Sequence, residues 1–192
     1  MLFLGLTMFG VGITLQVVSE LGLAPWQVFH QGISVKTGIP LGTVGIITGL
    51  VVLVLWIPLK ERFGIGTVSN IILVGIVIDL SLWIAPEEVT NHVARYALLI
   101  AGILMVGVAS ALYIGAGLGP GPRDGLMTGL AKRGINIGIA RFGIEITVLI
   151  AGWLLGGTVG IGTALFAFGM GPLIAVFLPR LMIEPIQAPA RN

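Results

Sequence analysis

The chain has 192 residues, 56% of them hydrophobic and 9% charged, and a mean hydropathy of +1.09. Soluble domains carry roughly a quarter charged residues, and no water-soluble fold of this length could cover so much apolar surface. A net charge of +2 is a topology signal rather than a nucleic-acid-binding surface, and the absence of cysteine excludes disulfides, thiol catalysis and thiolate metal sites.

In chain order, the first apolar stretch runs from Leu2 to Ser19. It lacks a basic leader and an A-x-A cleavage site, and further spans follow it, so it is expected to stay as a span rather than leave as a signal peptide. A Gly/Pro break then leads into a segment of about ten residues, Trp26 to Val35. At about 1.5 Å per residue this reaches half the hydrocarbon core, which needs about 20 helical residues to cross. Spans near Gly42 to Ile57, Thr67 to Ala85 and Val93 to Gly115 come next. A second Gly/Pro break and short segment, Arg123 to Arg133, precede spans near Ile139 to Leu155 and Gly162 to Leu178. The expected fold is all-α: a single membrane domain over 1–192 with six transmembrane helices and a cytoplasmic tail over 181–192.

Six spans put both termini, the second loop and the fourth loop on one side. That side holds Lys60, Arg62, Arg123, Lys132, Arg133, Arg141, Arg180 and Arg191, against Lys36 and Arg95 opposite. By the positive-inside rule both termini are expected in the cytoplasm. An odd number of spans would break the separation.

The chain also repeats itself. LGLAPWQVFHQG at Leu21 to Gly32 matches LGPGPRDGLMTG at Leu118 to Gly129, and Gly10 and Gly107 share that offset. After a one-residue deletion Gly38, Gly42 and Gly75 align with Gly134, Gly138 and Gly171, and GIGT at Gly64 to Thr67 aligns with GIGT at Gly160 to Thr163. The repeats cover 1–85 and 93–180. Each holds three spans, so the second copy must begin on the opposite face of the membrane, an inversion that recurs in secondary transporters with sites near the midplane. Dual-topology scaffold ancestry gives the same pattern without transport. The 30 glycines include GxxxG pairs such as Gly45 with Gly49 and Gly152 with Gly156, which permit close helix approach and make a homodimer a candidate assembly.

Proline suits the first turn of a helix, where its missing N–H would be unpaired anyway. The first short segment gathers Gln27, His30, Gln31 and Ser34 on one face; the second aligns Asp124, Thr128 and Lys132. Both are amphipathic, which fits helices lying flat at the two interfaces. It equally fits re-entrant elements whose N-termini come toward the midplane and favour an anion or polar solute. Within the spans, ionisable residues are functional candidates: Asp79, and Glu145 one turn after Arg141, with Gln16 and Asn70 as weaker companions. Arg123 and Asp124 take the repeat positions of Trp26 and Gln27, so the charged pair exists in one copy alone. An Arg-Asp dipeptide after Gly-Pro-Gly-Pro suits a gate or an anion-recognition point; it also suits an ordinary helix start beside the headgroups.

Catalytic chemistry is not legible. No HExxH, GxSxG, Walker loop or Rossmann fingerprint occurs, and His30 and His92 lack ligand spacing. No enzyme activity, cofactor or metal is expected.

The pattern of GLG, proline, a short amphipathic segment and GIGT, with GLGPGPRDGLMTGL in the second copy, resembles the YczE/YyaS/YitT-type bacterial membrane proteins, most closely the YczE-like branch. The resemblance covers nearly the whole chain. It implies a multi-pass protein of the bacterial plasma membrane and brings neither a substrate nor site residues. The expected partners are the lipid bilayer and a small polar or anionic solute, moved by a small transporter or permeation protein. Its substrate-binding candidates are Gln27, His30, Gln31, Asp79, Arg123, Asp124 and Glu145. The alternative is a non-transporting scaffold or regulatory partner of a neighbouring pathway.

Overall fold

The computed structural model describes residues 1–86 and 88–182. They form eight helices: α1 (Leu2–Ser19), α2 (Pro25–Thr37), α3 (Leu41–Leu59), α4 (Ile65–Ile84), α5 (His92–Gly115), α6 (Pro122–Ala131), α7 (Ile137–Leu154) and α8 (Ile161–Leu181). Six of these, all but α2 and α6, are long and apolar enough to cross a membrane. The chain is therefore an all-α, multi-pass membrane protein, and every expected span end lies within three residues of an observed one. The expected tail, from residue 183 onward and including Arg191, lies outside the described residues.

Local chemistry sets the starts of the short and the last helices. Pro25 and Pro122 each stand in the first turn of their helix, and neither start is capped by a side chain. α2 stops at Gly38, whose φ of 74° is the left-handed conformation glycine adopts without strain. The two GIGT motifs open α4 and α8 in the same way. Thr67 and Thr163 each turn a hydroxyl back to accept from the N–H of Gly64 and Gly160, at 3.2 Å in both.

Small residues decide which helices meet. α1 and α5 form a central pair because Gly5, Gly12 and Gly102 let the backbones touch; a Cβ on Gly12 would lie 3.0 Å from the Gly102 carbonyl oxygen. α4 packs along α1 and α8 along α5. The short helices pack on spans of the other half. α2 lies on α7, where Gly152 faces the Phe29 backbone, and α6 lies on α3, where Gly125 faces the Trp56 indole. Loops cross over as well. The Gly162 N–H donates to the Leu21 carbonyl at 2.7 Å, and the Gly66 N–H donates to the Leu118 carbonyl at 2.8 Å. Leu21 with Leu118, and Gly66 with Gly162, are matched repeat positions, so each GIGT pins the coil that leads into the other half's short helix.

One seam breaks this correspondence. α3 and α4 close against each other, with Gly42 on the Gly75 carbonyl and Gly49 on Ile71. At the matched positions no such seam joins α7 and α8 among the described residues. Gly171 has nothing within 4 Å of where a Cβ would stand, and Gly138 meets nothing but the Asn136 side chain.

Candidate functional site

The starts of α2 and α6 meet inside the protein. The Arg123 guanidinium lies over the Trp26 ring, 5.3 Å from its centroid, so matched repeat positions stack on each other. Such a contact favours a cation held against a ring face. Trp56, fully buried on α3, anchors this junction by donating its indole N–H to the Pro122 carbonyl at 3.0 Å.

The junction forms one wall of a cavity of about 620 Å³, a size typical of small-molecule sites. Its other walls are residues well inside their spans, Phe9 and Ile13 of α1, Ile71 and Val74 of α4, and Phe166 and Met170 of α8. Arg141 and Glu145, in the first half of α7, also line it. Opposite His30 the wall is Gly45, so the α3 backbone leaves the imidazole room.

Polar groups in the cavity are incompletely matched. Trp26, Gln27 and His30 are 6%, 4% and 7% exposed, yet Trp26 Nε1, Gln27 Oε1 and His30 Nε2 have no hydrogen-bond partner. Buried polar atoms are nearly always paired, and each orphan costs about 1–3 kcal/mol. Three such atoms on one helix, on residues that line one cavity, form a cluster without protein partners. Among the described residues, no carboxylate lies within 4 Å of the Arg123 guanidinium. Its neighbour Asp124 accepts a hydrogen bond from the Tyr113 hydroxyl at 3.3 Å. The α2 stripe of Gln27 and His30 thus faces the protein interior instead of an external water layer.

The sequence candidates divide accordingly. Gln27, His30, Arg123, Asp124 and Glu145 line the cavity together. Glu145 is paired with Arg141 at 3.1 Å, one turn away. Gln31 stands apart, its amide oxygen accepting from the Thr158 N–H at 2.7 Å, which ties α2 to the loop before α8. Asp79 is not among the lining residues. Its carboxylate accepts from the N–H groups of Gly42 and Thr43 and from the Thr43 hydroxyl, at 2.6–2.8 Å, and so caps the start of α3. Of the companions, Asn70 lines the cavity while Gln16 is buried between α1 and α5, its amide donating to the Gly12 carbonyl. Trp26 and Tyr113 were not candidates. Trp26 carried one usable signal, its alignment with Arg123; a single tyrosine late in an apolar span carries none.

Fold and cavity together define a multi-pass helical membrane protein with a largely apolar chamber that carries a polar cluster on one wall. The chain belongs to the family of unknown function DUF6198, whose model matches residues 1–179. It is 40% identical over 92% of its length to an uncharacterized protein of Haemophilus influenzae, covering 81% of that protein. It is 32% identical over 93% of its length to the uncharacterized membrane protein YczE of Bacillus subtilis, covering 84% of it. With the uncharacterized protein YyaS of the same organism it shares 26% identity over 92% of its length, covering 90% of it. No solved structure matches the chain.

Proposed function

We propose that this chain is a small carrier of the bacterial plasma membrane that moves a polar solute bearing an acidic group by alternating access between two inverted repeats. The observation that carries this reading is the meeting of the two short-helix starts at a cavity walled by mid-span residues, where, among the described residues, no carboxylate comes within 4 Å of the Arg123 guanidinium. Helix N-termini favour anions, and irregular backbone at membrane depth is tolerated beside a cavity or inside protein. In this reading α2 and α6 are re-entrant.

Three spans in each half support an inverted pair of repeats, and the basic residues other than Arg123, divided seven to two, support termini on the cytoplasmic side. The unequal seams then acquire a meaning. α3 and α4 close the extracellular side, while the separation of α7 from α8 leaves the chamber facing the cytoplasm past Arg141 and Glu145. Exchanging the two seam geometries would face it outward, since inverted repeats can each adopt the other's arrangement. The proposal needs no covalent step.

The test is uptake of labelled amino acids, hydroxy acids and monocarboxylates by proteoliposomes of purified protein. R123Q is expected to lower uptake of the transported solute by about tenfold or more, because a charge-assisted hydrogen bond contributes about 1.5–3 kcal/mol. No uptake across the panel by folded protein, together with a stable co-purifying protein, would establish the scaffold alternative.

A further inference from the structure

Besides His30 Nε2, four groups in the cavity are incompletely matched, and they are not of one kind. Arg123 offers N–H donors with no carboxylate within 4 Å among the described residues, and the buried Trp26 Nε1 is a further unmatched donor. Gln27 Oε1 is an unmatched acceptor, 4% exposed as a residue. Asp124 is an acceptor that takes a hydrogen bond from the Tyr113 hydroxyl on one of its two oxygens, at 3.3 Å. An inorganic anion would satisfy the donors and leave both acceptors facing it, at a cost in repulsion and desolvation.

The charge of the lining points the same way. Arg123 and Arg141 are balanced by Asp124 and Glu145, so the chamber is formally neutral with His30 uncharged. At its buried end, where Trp26, Gln27 and His30 stand, a solute of no net charge preserves that balance. The remaining walls, Phe9, Ile13, Val74, Phe166 and Met170, are apolar and suit a hydrocarbon or aromatic group.

We infer that the solute is a small zwitterion of the α-amino-acid type with an apolar side chain. Its carboxylate is held by Arg123 and the Trp26 indole N–H at the two helix starts, its ammonium by Asp124 and the Gln27 amide oxygen, and its side chain by the apolar wall. This rests on the carrier reading and narrows it from acidic solutes to zwitterions. A neutral lining takes little free energy from a monoanion, whereas the zwitterion satisfies both donors and both acceptors.

Binding of three related compounds to the unaltered protein in nanodiscs, measured calorimetrically, tests this. The compounds are phenylalanine, its N-acetyl derivative, which is a monoanion, and its amide, which is a monocation. Phenylalanine is expected to bind at least about tenfold more tightly than either. R123Q should remove the advantage over the amide, and D124N the advantage over the N-acetyl compound. N-acetylphenylalanine binding as tightly as phenylalanine would overturn the zwitterion and, if proteoliposomes take it up in an Arg123-dependent way, leave the carrier intact. Absence of binding by all three overturns the inference as well; with no uptake of any solute in the panel, the carrier reading falls with it. The comparison among compounds needs no variant, so a failure of R123Q or D124N to fold does not weaken it.

Discussion

Asp79 shows how far a residue's chemistry depends on what the chain places beside it. An aspartate a dozen residues into an apolar span is a functional candidate by cost alone. Here both carboxylate oxygens are engaged by the first turn of α3, where the helix leaves N–H groups unpaired. D79A is accordingly expected to lower stability by about 0.5–2 kcal/mol, the range for a lost N-cap, read as a fall in the melting temperature of the purified protein. Binding of phenylalanine per folded molecule should persist. Gln27 and His30 differ in kind: they were legible as a polar face at helical spacing, and they remain unmatched in the folded chain. Gln31 belongs to the same face by spacing yet serves the loop before α8. The period of a helix identifies a face; it does not say which neighbour each residue on that face meets.

At the scale of elements, the short helices were legible because their signals are local: a proline in the first turn, too few residues to cross, a glycine after the first of them. Which span each packs on was not legible. α2 pairs with α7 and α6 with α3 through contacts between residues far apart in the chain, and glycine is so frequent here that no spacing singles out Gly125. Its place is nevertheless exacting, because a Cβ there would overlap the Trp56 ring, whose N–H also holds Pro122. G125A is expected to destabilise the protein by about 1–3 kcal/mol, the usual range for overpacking. W56F removes the outer part of the indole and forfeits a hydrogen bond of about 1 kcal/mol. The double variant should be less destabilised than the sum of the two, since the smaller ring makes room for the new methyl. Thermal unfolding of all three measures this coupling, and strict additivity would show that α6 does not rest on Trp56 as described.

At the scale of the molecule, the repeat in the sequence predicts two equal halves, and nearly every helix contact has its counterpart in the other half. Only part of the glycine spacing is shared by the two seams. Gly42 and Gly75 have counterparts in Gly138 and Gly171, but Gly45 and Gly49 of α3 align with Arg141 and Glu145 of α7. The chain thus carries a signal that α3–α4 closes where α7–α8, among the described residues, does not. On the carrier reading the difference belongs to one conformation and is testable as one. The chain lacks cysteine, so paired cysteines can be introduced without a background. A Cβ on Gly49 would stand 3.4 Å from that of Ile71, close to the disulfide range of about 3.5–4.5 Å, and G49C/I71C should oxidise readily. G138C/G171C places its cysteines in the open seam, where it should stay reduced in the resting protein. If the halves exchange arrangements, a transported solute must raise cross-linking of G138C/G171C, and that cross-link must halt uptake until it is reduced. A scaffold has no reason to close this seam, and an unchanging G138C/G171C pair in a protein that still moves solute would require a path that does not alternate. Both outcomes are read from the same gel and the same vesicles, and each assigns the asymmetry of the seams to a different cause.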